Sequence, residues 1–357
     1  MTSPGNHAHI VGLGLIGGSL ALALRDQGWS VTGVDLSQSS QDEALERGII
    51  TDVKPDPDTS LVFVCAPAGS VANIVQGILE SDLPELMVIS DVAGVKESIC
   101  RAIEDPRFIG GHPMAGSELR GLAGARANLF TGCNWVLTPS ETTPADSYAF
   151  LHGVLRSLGA SVMALGTEEH DRLVALASHV PHVVAGALMN EATSTSVEHG
   201  ALLRLAAGGF RDMTRISAGD PSIWPDVLFE NSAAVLDGLG RVAAQVATFR
   251  RVIESRDREE LLTLLSKAAV ARRQLPGSIG EAESLVEIRI PVDDRPGVLA
   301  EVTKLASDLQ INIFDIEIAH NVEGISGVLL LSVDKAAAPA LISELTNRAF
   351  SVGSEPA

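Results

Sequence analysis

The fold is decided by the stretch His9-Ile10-Val11-Gly12-Leu13-Gly14-Leu15-Ile16-Gly17, near the start of the chain. A short apolar strand runs directly into a G-x-G-x-x-G pattern, and a helical run follows at residues 18–27. A second β-branched run then ends at Asp35, 18 residues after Gly17. Strand, glycines, helix, strand and acid in this order predict a dinucleotide-binding βαβ unit.

Each part of this pattern has an expected role. Gly12 permits a tight turn, Gly14 lets the backbone approach a pyrophosphate at the helix N-terminus, and Gly17 allows close packing of helix on strand. The Asp35 carboxylate can accept hydrogen bonds from the adenosine ribose hydroxyls and would repel a 2′-phosphate. The predicted cofactor is therefore NAD in preference to NADP, bound by Gly12, Gly14, Leu15, Ile16, Gly17, Asp35, Ala66 and Pro67.

Short β-branched runs continue outward from this unit at residues 31–34, 61–65, 87–90 and 108–109, usually with a helical stretch after each. This alternation predicts a parallel, doubly wound α/β sheet. Two more strands are expected at residues 134–137 and 161–165, with a helix at 146–158 between them. Residues 1–165 are thus expected to form an N-terminal Rossmann domain.

The next hundred residues have helical periodicity. Thr167 is the expected N-cap, and Glu168 and Glu169 suit the positive end of the helix dipole. Residues 174–189 and 233–253 are apolar around more than one face, so they need partners from other helices or from a second subunit. Residues 166–275 are therefore predicted to be an all-α dimerisation domain, and the protein a homodimer.

A linker rich in glycine, proline and small residues is expected at residues 276–284. Beyond it, residues 285–357 follow the order β-α-β-β-α, with strands near 285–291, 312–319 and 327–333 and helices near 298–309 and 337–349. This order predicts a separate, small α+β domain.

Composition narrows the class of protein further. The 357 residues are enough for two or three domains, and 26 basic against 45 acidic residues give a net charge of −19, which disfavours nucleic acids and anionic membranes as partners. The three cysteines are far apart and form no metal or disulfide framework. No signal peptide is recognisable, and no apolar run is expected to approach the roughly 20 residues of a membrane span. A cytoplasmic protein without a metal site is expected.

A candidate catalytic base follows the run at residues 108–109, in Gly110-Gly111-His112-Pro113-Met114-Ala115-Gly116-Ser117-Glu118. Ligands of open parallel sheets bind beyond the carboxyl ends of the strands, so His112 is expected near a nicotinamide. Its imidazole can accept the proton that a hydroxyl loses as its carbon gives up hydride. The alternative is a structural histidine satisfied within a Gly/Pro turn.

Three further motifs accompany this one, at residues 178–182 (Ser-His-Val-Pro-His), 208–216 (Gly-Gly-Phe-Arg-Asp-Met-Thr-Arg-Ile) and 220–224 (Asp-Pro-Ser-Ile-Trp). Together they resemble the prephenate/arogenate dehydrogenase family over about residues 8–270. The resemblance implies that His112 is the catalytic acceptor and that Arg215 anchors a substrate carboxylate. It also implies that His182 borders the substrate side chain and Glu118 the pocket mouth, with Ser117, His179 and Trp224 as further substrate-binding residues.

Other interpretations of these residues remain open. Arg215 could form a surface ion pair with Asp212, three residues earlier on a helix. His179 and His182 could be core histidines, or a metal pair that lacks a clear third ligand. One position departs from the family, because Gly94 stands where its D-x-x-S-V-K segment commonly has a serine, so a water, Ser90 or Ser117 would have to supply that hydroxyl.

The reaction implied by the resemblance is NAD-dependent oxidative decarboxylation of prephenate to 4-hydroxyphenylpyruvate in tyrosine biosynthesis. An arogenate or dual-specificity cyclohexadienyl dehydrogenase, which makes tyrosine directly, fits the same residues. A β-hydroxyacid dehydrogenase or imine-reductase relative is disfavoured because no lysine lies between Lys96 and Lys267. A non-catalytic sensor of NAD and amino acids would leave His112, His182 and Arg215 unexplained.

The C-terminal domain carries its own resemblance. The turn at residues 293–299 (Asp-Asp-Arg-Pro-Gly-Val-Leu) is similar to the ligand-binding loop of ACT domains, which have a ferredoxin-like fold. This implies a regulatory site for tyrosine or another aromatic amino acid, formed by Pro296, Gly297, Val298, Asn312 and Ile313. A domain that only adds dimer contacts is the alternative.

Overall fold

The computed structural model describes residues 6–81, 83, 87–116, 119, 121–198, 208–219, 221–274, 285–293, 295–320, 326–348 and 350–356. The chain divides into two compact units. The first comprises Met1–Glu191 and Met213–Ala243, and the second comprises Ala192–Asp212 and Ala244–Ala357.

The first unit is built on a seven-stranded sheet. Its strands are β1 (His7–Val11), β2 (Ser30–Val34), β3 (Leu61–Val64), β4 (Val88–Asp91), β5 (Phe108–Pro113), β6 (Asn134–Thr138) and β7 (Ser161–Ala164). The strand order is β2-β1-β3-β4-β5-β6-β7, and β1 to β5 pair in parallel. The predicted Rossmann architecture is confirmed, because helices connect these parallel strands.

Two details of the sheet differ from the expectation. β6 runs antiparallel to β5, and the described part of the segment between them contains only a short 3₁₀ helix at Leu122–Gly124. Parallel strands are usually joined by a crossover α-helix, and the described part of this connection contains none, in keeping with the antiparallel pairing. β5 also extends through His112, which therefore lies within a paired strand opposite Val136 and not in a turn after the strand.

The described residues place these helices on the sheet: α1 (Leu15–Asp26), α2 (Gln38–Glu46), α3 (Ala68–Leu79), α4 (Glu97–Ala102) and α5 (Ala145–Ser157). The core beneath them is mainly aliphatic, with residues such as Ile10, Leu20 and Leu61 fully buried. Its aromatic centre is Trp135, whose ring centroid lies 5.1 Å from that of Phe130. This rigid layer fixes the strand ends where ligands of such sheets bind.

A long helix follows the sheet and changes pitch once. It consists of α6 (Thr167–Val174), a π-helical turn at Ala175–His179 and α7 (Val180–Glu198). Gly166 occupies the N-cap position and Thr167 is the first helical residue, so the predicted cap was wrong by one residue. Nine residues of α-helix, about two and a half turns, would put His170 and His179 on opposite sides. The π turn changes the angle about the helix axis between these two residues. The Asn231 side-chain amide lies between them and contacts both the His179 ring and the Asp171 carbonyl.

The expectation that no apolar run approaches membrane-spanning length was wrong. The helix Thr167–Thr195 has 29 residues and is long and apolar enough, by length and composition alone, to cross a membrane. One such helix is weak evidence of a span, since the core helix of a soluble protein has the same character. The first turns of this helix bury His170, Asp171 and His179, which hydrogen bond within the first unit, whereas 28% of its apolar window is buried.

The remaining helices complete the α-helical part of the chain. They are α8 (Gly208–Thr214), α9 (Trp224–Glu230), α10 (Ser232–Ser255) and α11 (Arg258–Arg273). The Asp257 carboxylate caps α11 by accepting the Glu260 N–H at 2.9 Å. The predicted linker at residues 276–284 lies outside the described residues.

The C-terminal part of the second unit is a four-stranded antiparallel sheet with two helices. Its elements are β8 (Leu285–Asp293), α12 (Val298–Asp308), β9 (Ile313–His320), β10 (Ser326–Asp334), α13 (Ala338–Asn347) and β11 (Gly353–Pro356). The order β11-β8-β10-β9 and the aliphatic core are those of a ferredoxin-like α+β domain, as predicted. The last strand, β11, was not predicted because its residues are small or polar and include a proline, which is tolerated at a sheet edge.

Candidate active site

The glycine loop after β1 is shaped by close backbone approaches. Gly12 has φ +97°, and a Cβ there would overlap the carbonyl oxygen of Cys65 at the end of β3. A Cβ on Gly17 would overlap the Gly12 carbonyl oxygen. Any larger residue at these two positions would have to displace backbone, so the loop conformation depends on both glycines.

Gly14, the middle glycine of the pattern, leaves space for a ligand. Gly14 is the N-cap of α1, no side chain caps this helix, and a Cβ at Gly14 would meet nothing within 4 Å. The amides of Leu15 and Ile16 in the first turn therefore face an open position with the polarity that suits a pyrophosphate. The arrangement fits the predicted dinucleotide.

The Asp35 carboxylate, the predicted ligand of the adenosine ribose, is held in place by two backbone amides. Its Oδ2 accepts the Leu13 N–H at 2.7 Å, and its Oδ1 accepts the Ser37 N–H at 2.8 Å. A carboxylate oxygen has two acceptor positions, so each keeps one for a ribose hydroxyl. Ala66 and Pro67 follow β3 on the same edge of the sheet, with Pro67 as the N-cap of α3.

His112 is positioned by the two glycines that precede it in β5. A Cβ on Gly111 would lie 2.7 Å from the Asp91 carbonyl oxygen, and one on Gly110 would lie 3.1 Å from Cδ of Lys96. The bare backbone thus passes close to the end of β4. The Gly111 N–H donates to Asp91 Oδ1 at 3.0 Å, while Oδ2 of the same carboxylate accepts from the fully buried Lys96 ammonium.

A hydrogen-bonded chain of three side chains ends at His112. His112 Nδ1 lies 2.9 Å from His170 Nε2, and His170 Nδ1 lies 2.7 Å from Asp171 Oδ1. Asp171 also accepts the Lys96 N–H at 2.8 Å and the Glu97 N–H at 2.9 Å. His170 is completely buried, so this chain runs from the candidate base into the protein interior.

The environment keeps His112 neutral. Burial lowers its pKa well below the usual value, and the neighbouring His170, Lys96 and His179 lower it further when they are charged. Burial opposes ionisation of Asp171, but hydrogen bonds from His170 and the Glu97 and Lys96 amides outweigh it and lower the pKa of that carboxyl. A neutral imidazole beside an ionised carboxylate is ready to take up a proton.

The other ring nitrogen of His112 faces Gly94. A Cβ at Gly94 would lie 3.6 Å from His112 Nε2, an ordinary van der Waals distance, so the position has room for a side chain. Ser90, one of the suggested substitutes for the missing serine, is fully buried and donates its hydroxyl to the Asp91 carbonyl at 3.4 Å. Ser117, the other substitute, lies outside the described residues.

A cluster of aromatic rings, formed by His179, His182 and Trp224, is linked to this histidine chain through Asn231. The Trp224 ring is stacked on His182, with centroids 3.5 Å apart and planes at 13°, and it meets His179 edge-on at 6.3 Å. His179 Nδ1 lies 3.3 Å from Asn231 Nδ2. Burial lowers the pKa of His179 to about 4 and also lowers that of His182. Within the described residues, no group of three or more metal-ligating side chains is formed.

Arg215 stands apart from these contacts. It is exposed, at the start of the short 3₁₀ helix Arg215–Ala218 in the first unit. Among the described residues, no hydrogen bond, ion pair or ring contact joins it to the histidines. Glu118 lies outside the described residues, so the structure brings together His112, His179, His182 and Trp224 from the predicted set.

Sequence reasoning missed His170, Asp171, Asn231 and the buried pair formed by Asp91 and Lys96. His-Asp at residues 170–171 follows the acidic first turn of a helix, where it has the appearance of a solvated face. Lys96 gave no signal of burial either. A covariation of these positions with His112 would have been the signal, and one sequence cannot supply it.

The loop predicted to bind a regulator lies at the N-terminus of α12. Gly297 is the N-cap residue with φ +92°, and no side chain caps the helix. Arg295 forms an ion pair with Glu301 at 2.8 Å, which ties the loop to the first turn. Pro296 and Val298 flank Gly297, Asn312 is exposed before β9, and Ile313 begins that strand. The uncapped amides have the polarity that a carboxylate ligand needs.

Family models match nearly the whole chain. Residues 20–164 match the prephenate dehydrogenase nucleotide-binding domain, residues 166–267 match the prephenate dehydrogenase dimerization domain, and residues 288–354 match an ACT domain.

Individual proteins agree with these matches. The chain is 31% identical to a prephenate dehydrogenase of Bacillus subtilis, covering 90% of this chain and 91% of that one. It is 32% identical to a crystal structure of Synechocystis arogenate dehydrogenase, with a TM-score of 0.64, covering 75% of this chain and 99% of that one. It is 28% identical to a crystal structure of prephenate dehydrogenase from Aquifex aeolicus in complex with hydroxyphenyl propionate and NAD⁺, with a TM-score of 0.70, covering 75% and 97% of the two chains.

Proposed function

Because the chain belongs to the prephenate dehydrogenase family, we propose that it catalyses the NAD-dependent oxidative decarboxylation of prephenate to 4-hydroxyphenylpyruvate in tyrosine biosynthesis. The observation that carries this proposal is His112, a buried neutral base on the sheet edge that also bears the dinucleotide loop. Residues 1–165 would bind the cofactor, residues 166–275 would form the dimer, and residues 285–357 would regulate activity.

The side chains have distinct tasks in this reaction. NAD, when bound, would supply the acceptor for the hydride that leaves C4 of the substrate ring. His112 Nε2 would accept the hydroxyl proton. The ring carboxylate would depart as carbon dioxide, and the electron pair of the broken C–C bond would make the ring aromatic as a phenolate, which takes the proton back. The Leu15 and Ile16 amides hold the pyrophosphate, and Asp35 holds the adenosine ribose.

Arg215 is the proposed anchor of a substrate carboxylate. It is exposed and takes part in no ion pair among the described residues, so its planar guanidinium is available for a bidentate contact. A protein with a net charge of −19 needs such a local cation to hold a dianion. His182 and Trp224 are proposed to border the substrate side chain, with His179, Ser117 and Glu118 close to them.

Arogenate is the second candidate substrate, because the similar Synechocystis structure is an arogenate dehydrogenase. Prephenate and arogenate share the ring and both carboxylates and differ only in a keto or an amino group. NADH formation should be followed by absorbance with each substrate and with NAD or NADP. We expect the highest kcat/KM with prephenate and NAD, and turnover of neither substrate would refute the proposal.

Regulation is proposed to reside in the ACT domain. The uncapped amides at Gly297 and the exposed Asn312 support binding of the carboxylate and polar end of an aromatic amino acid, and tyrosine from the same pathway is the proposed ligand. Calorimetry with the whole protein should detect tyrosine at millimolar concentration or below. A domain that binds none of tyrosine, phenylalanine and tryptophan would only add dimer contacts. We further propose that the enzyme acts in the cytoplasm.

A further inference from the structure

The carboxylate of Asp171 is fixed so firmly that it determines where protons lie in its neighbours. Its two oxygens accept the backbone N–H groups of Lys96 and Glu97, at 2.8 and 2.9 Å. An ionised carboxylate only accepts hydrogen bonds. His170 Nδ1, 2.7 Å from Asp171 Oδ1, must therefore carry a hydrogen and donate it.

The tautomer of His170 determines the tautomer of His112, because the two rings are hydrogen bonded. When His170 carries one ring hydrogen, on Nδ1, its Nε2 presents a lone pair, and His112 Nδ1–H is the donor among the described residues that lies at hydrogen-bond distance from it, at 2.9 Å. His112 is then left with an unprotonated Nε2, the nitrogen on the Gly94 side. We propose that His170 and Asp171 are positioning residues that hold His112 in the one tautomer able to accept the substrate proton.

The same chain supports the charge that forms during the reaction. Once His112 has taken up a proton, the cation is disfavoured by burial, by a charged His170, and by Lys96 and His179, and Lys96 is itself paired with Asp91. The imidazolium can share its charge through His170 with the ionised Asp171. A carboxylate that orients a histidine and stabilises its protonated form has this role in other general-base systems. Here a second imidazole lies between them.

The missing side chain at position 94 makes this arrangement more important. No side-chain atom of Gly94 can orient His112 from its Nε2 side. Among the described residues, the side-chain hydrogen bond that orients His112 is on the Nδ1 side, where His170 provides the contact. The ring planes of the two histidines meet at 69°, an edge-on geometry that directs the N–H of one ring at the nitrogen of the other.

The tautomer can be measured directly by NMR on the full-length protein labelled with ¹⁵N-histidine. Long-range ¹⁵N–¹H correlation spectra at pH 8 distinguish protonated from unprotonated ring nitrogens, and His112→Asn identifies the His112 signals. We expect a protonated Nδ1 and an unprotonated Nε2. His170→Phe keeps a ring but removes the acceptor, and it should give a mixture of tautomers. The opposite tautomer in the wild type, or no change in His170→Phe, would overturn the inference.

Steady-state kinetics provide the second measurement and rest on the proposed function. His170→Phe should lower kcat roughly tenfold or more, because part of the general-base contribution is lost, while KM and the Kd for NAD stay within about twofold. His170→Gln supplies an amide oxygen that can accept from His112, so it should recover most of the rate. A purely structural role predicts equal losses in both variants and would refute the positioning role.

A matched control is available in the sheet. His9 is also buried and bonds a side chain, Thr32 Oγ1, at 2.8 Å, but it lies outside the candidate site. His9→Gln should leave the His112 signals unchanged, and a shift of those signals would refute a specific link to His170. The NMR result needs no turnover, so a protein that oxidises neither substrate but shows the expected tautomer would refute the function and retain the inference.

Discussion

At the scale of single residues, the chemistry depends on which groups surround one imidazole. Burial, and after it three cationic or potentially cationic neighbours, depress the pKa of His112, and the ionised Asp171 is linked to it through His170. Because the neutral form dominates down to a pH well below the usual value of a histidine, the base is active through the physiological range.

The first prediction concerns His112→Asn. The amide cannot accept a proton at neutral pH, so kcat should fall roughly 10²-fold or more while NAD affinity stays almost unchanged. In the wild type, kcat should rise with pH through one ionisation below pH 6.5 and then remain level, because protonation inactivates the base. Near-normal kcat of the variant across this pH range would remove His112 from the mechanism.

The second prediction concerns Gly94→Ser. The added Cβ fits at 3.6 Å from His112 Nε2, and the hydroxyl could hydrogen bond the ring or the substrate hydroxyl. One such bond contributes about 0.5–1.5 kcal/mol, which corresponds to a gain in kcat/KM of roughly 2- to 12-fold. Gly94→Ala is the matched control and should show no gain. A serine variant no faster than the alanine variant would contradict the prediction.

The sequence predicted only part of the site, and the reason is physical. His112 was recognisable because the strand, glycines and proline around it are contiguous in sequence. Gly14 was recognisable because the strand, loop and helix that define its role are also contiguous. His170 lies 58 residues further along and joins His112 only when α6 packs beside α4. Arg215 was predicted from motif resemblance alone, and its contact with substrate stays a prediction.

At the scale of elements, the glycine loop shows how strand, turn and helix depend on one another. Gly17 in the first turn of α1 lies against the Gly12 carbonyl, while Gly14 between them borders open space. The parallel strands were predictable because each is a contiguous β-branched run. The direction of β6 was not, because it depends on the length and course of the loop before it.

The third prediction separates folding from binding in this loop. Gly17→Ala forces a Cβ into backbone and should destabilise the first unit by about 1–3 kcal/mol or more, seen as a lower Tm. Gly14→Ala meets no protein atom within 4 Å, so its Tm should change little while its affinity for NAD, measured by calorimetry, falls. Equal effects of the two variants on Tm would contradict the assigned roles.

At the scale of the whole molecule, stability should respond to acid. Burial lowers the pKa of His9 to about 4, against 6.5 for an unperturbed histidine, so the unfolded chain binds more protons between these values. Stability therefore rises with pH through this window and is lost as pH falls below about 6.5. The contribution of His9 alone would be up to about 3 kcal/mol.

The fourth prediction follows from that dependence. Urea unfolding at pH 7.5, 6, 5 and 4.5 should show a free energy of unfolding that falls steadily on acidification. In His9→Gln, which cannot titrate, the slope should be shallower although the value at pH 7.5 is lower through the lost fit to Thr32. A variant with the wild-type slope would show that His9 is not responsible.

The π turn at Ala175–His179 marks where this helix can change length most easily. A π turn holds one residue more than a turn of α-helix. Deletion of one residue there would let the helix revert to uniform α-helical pitch, and the residues on either side would keep nearly the same rotation about the axis. The same deletion within Val180–Glu198 would instead rotate everything after it by about 100°, because each α-helical residue advances the helix by that angle. We therefore expect relatives that differ by one residue in the length of this helix to differ at the π turn and to keep His182 on the side of Trp224.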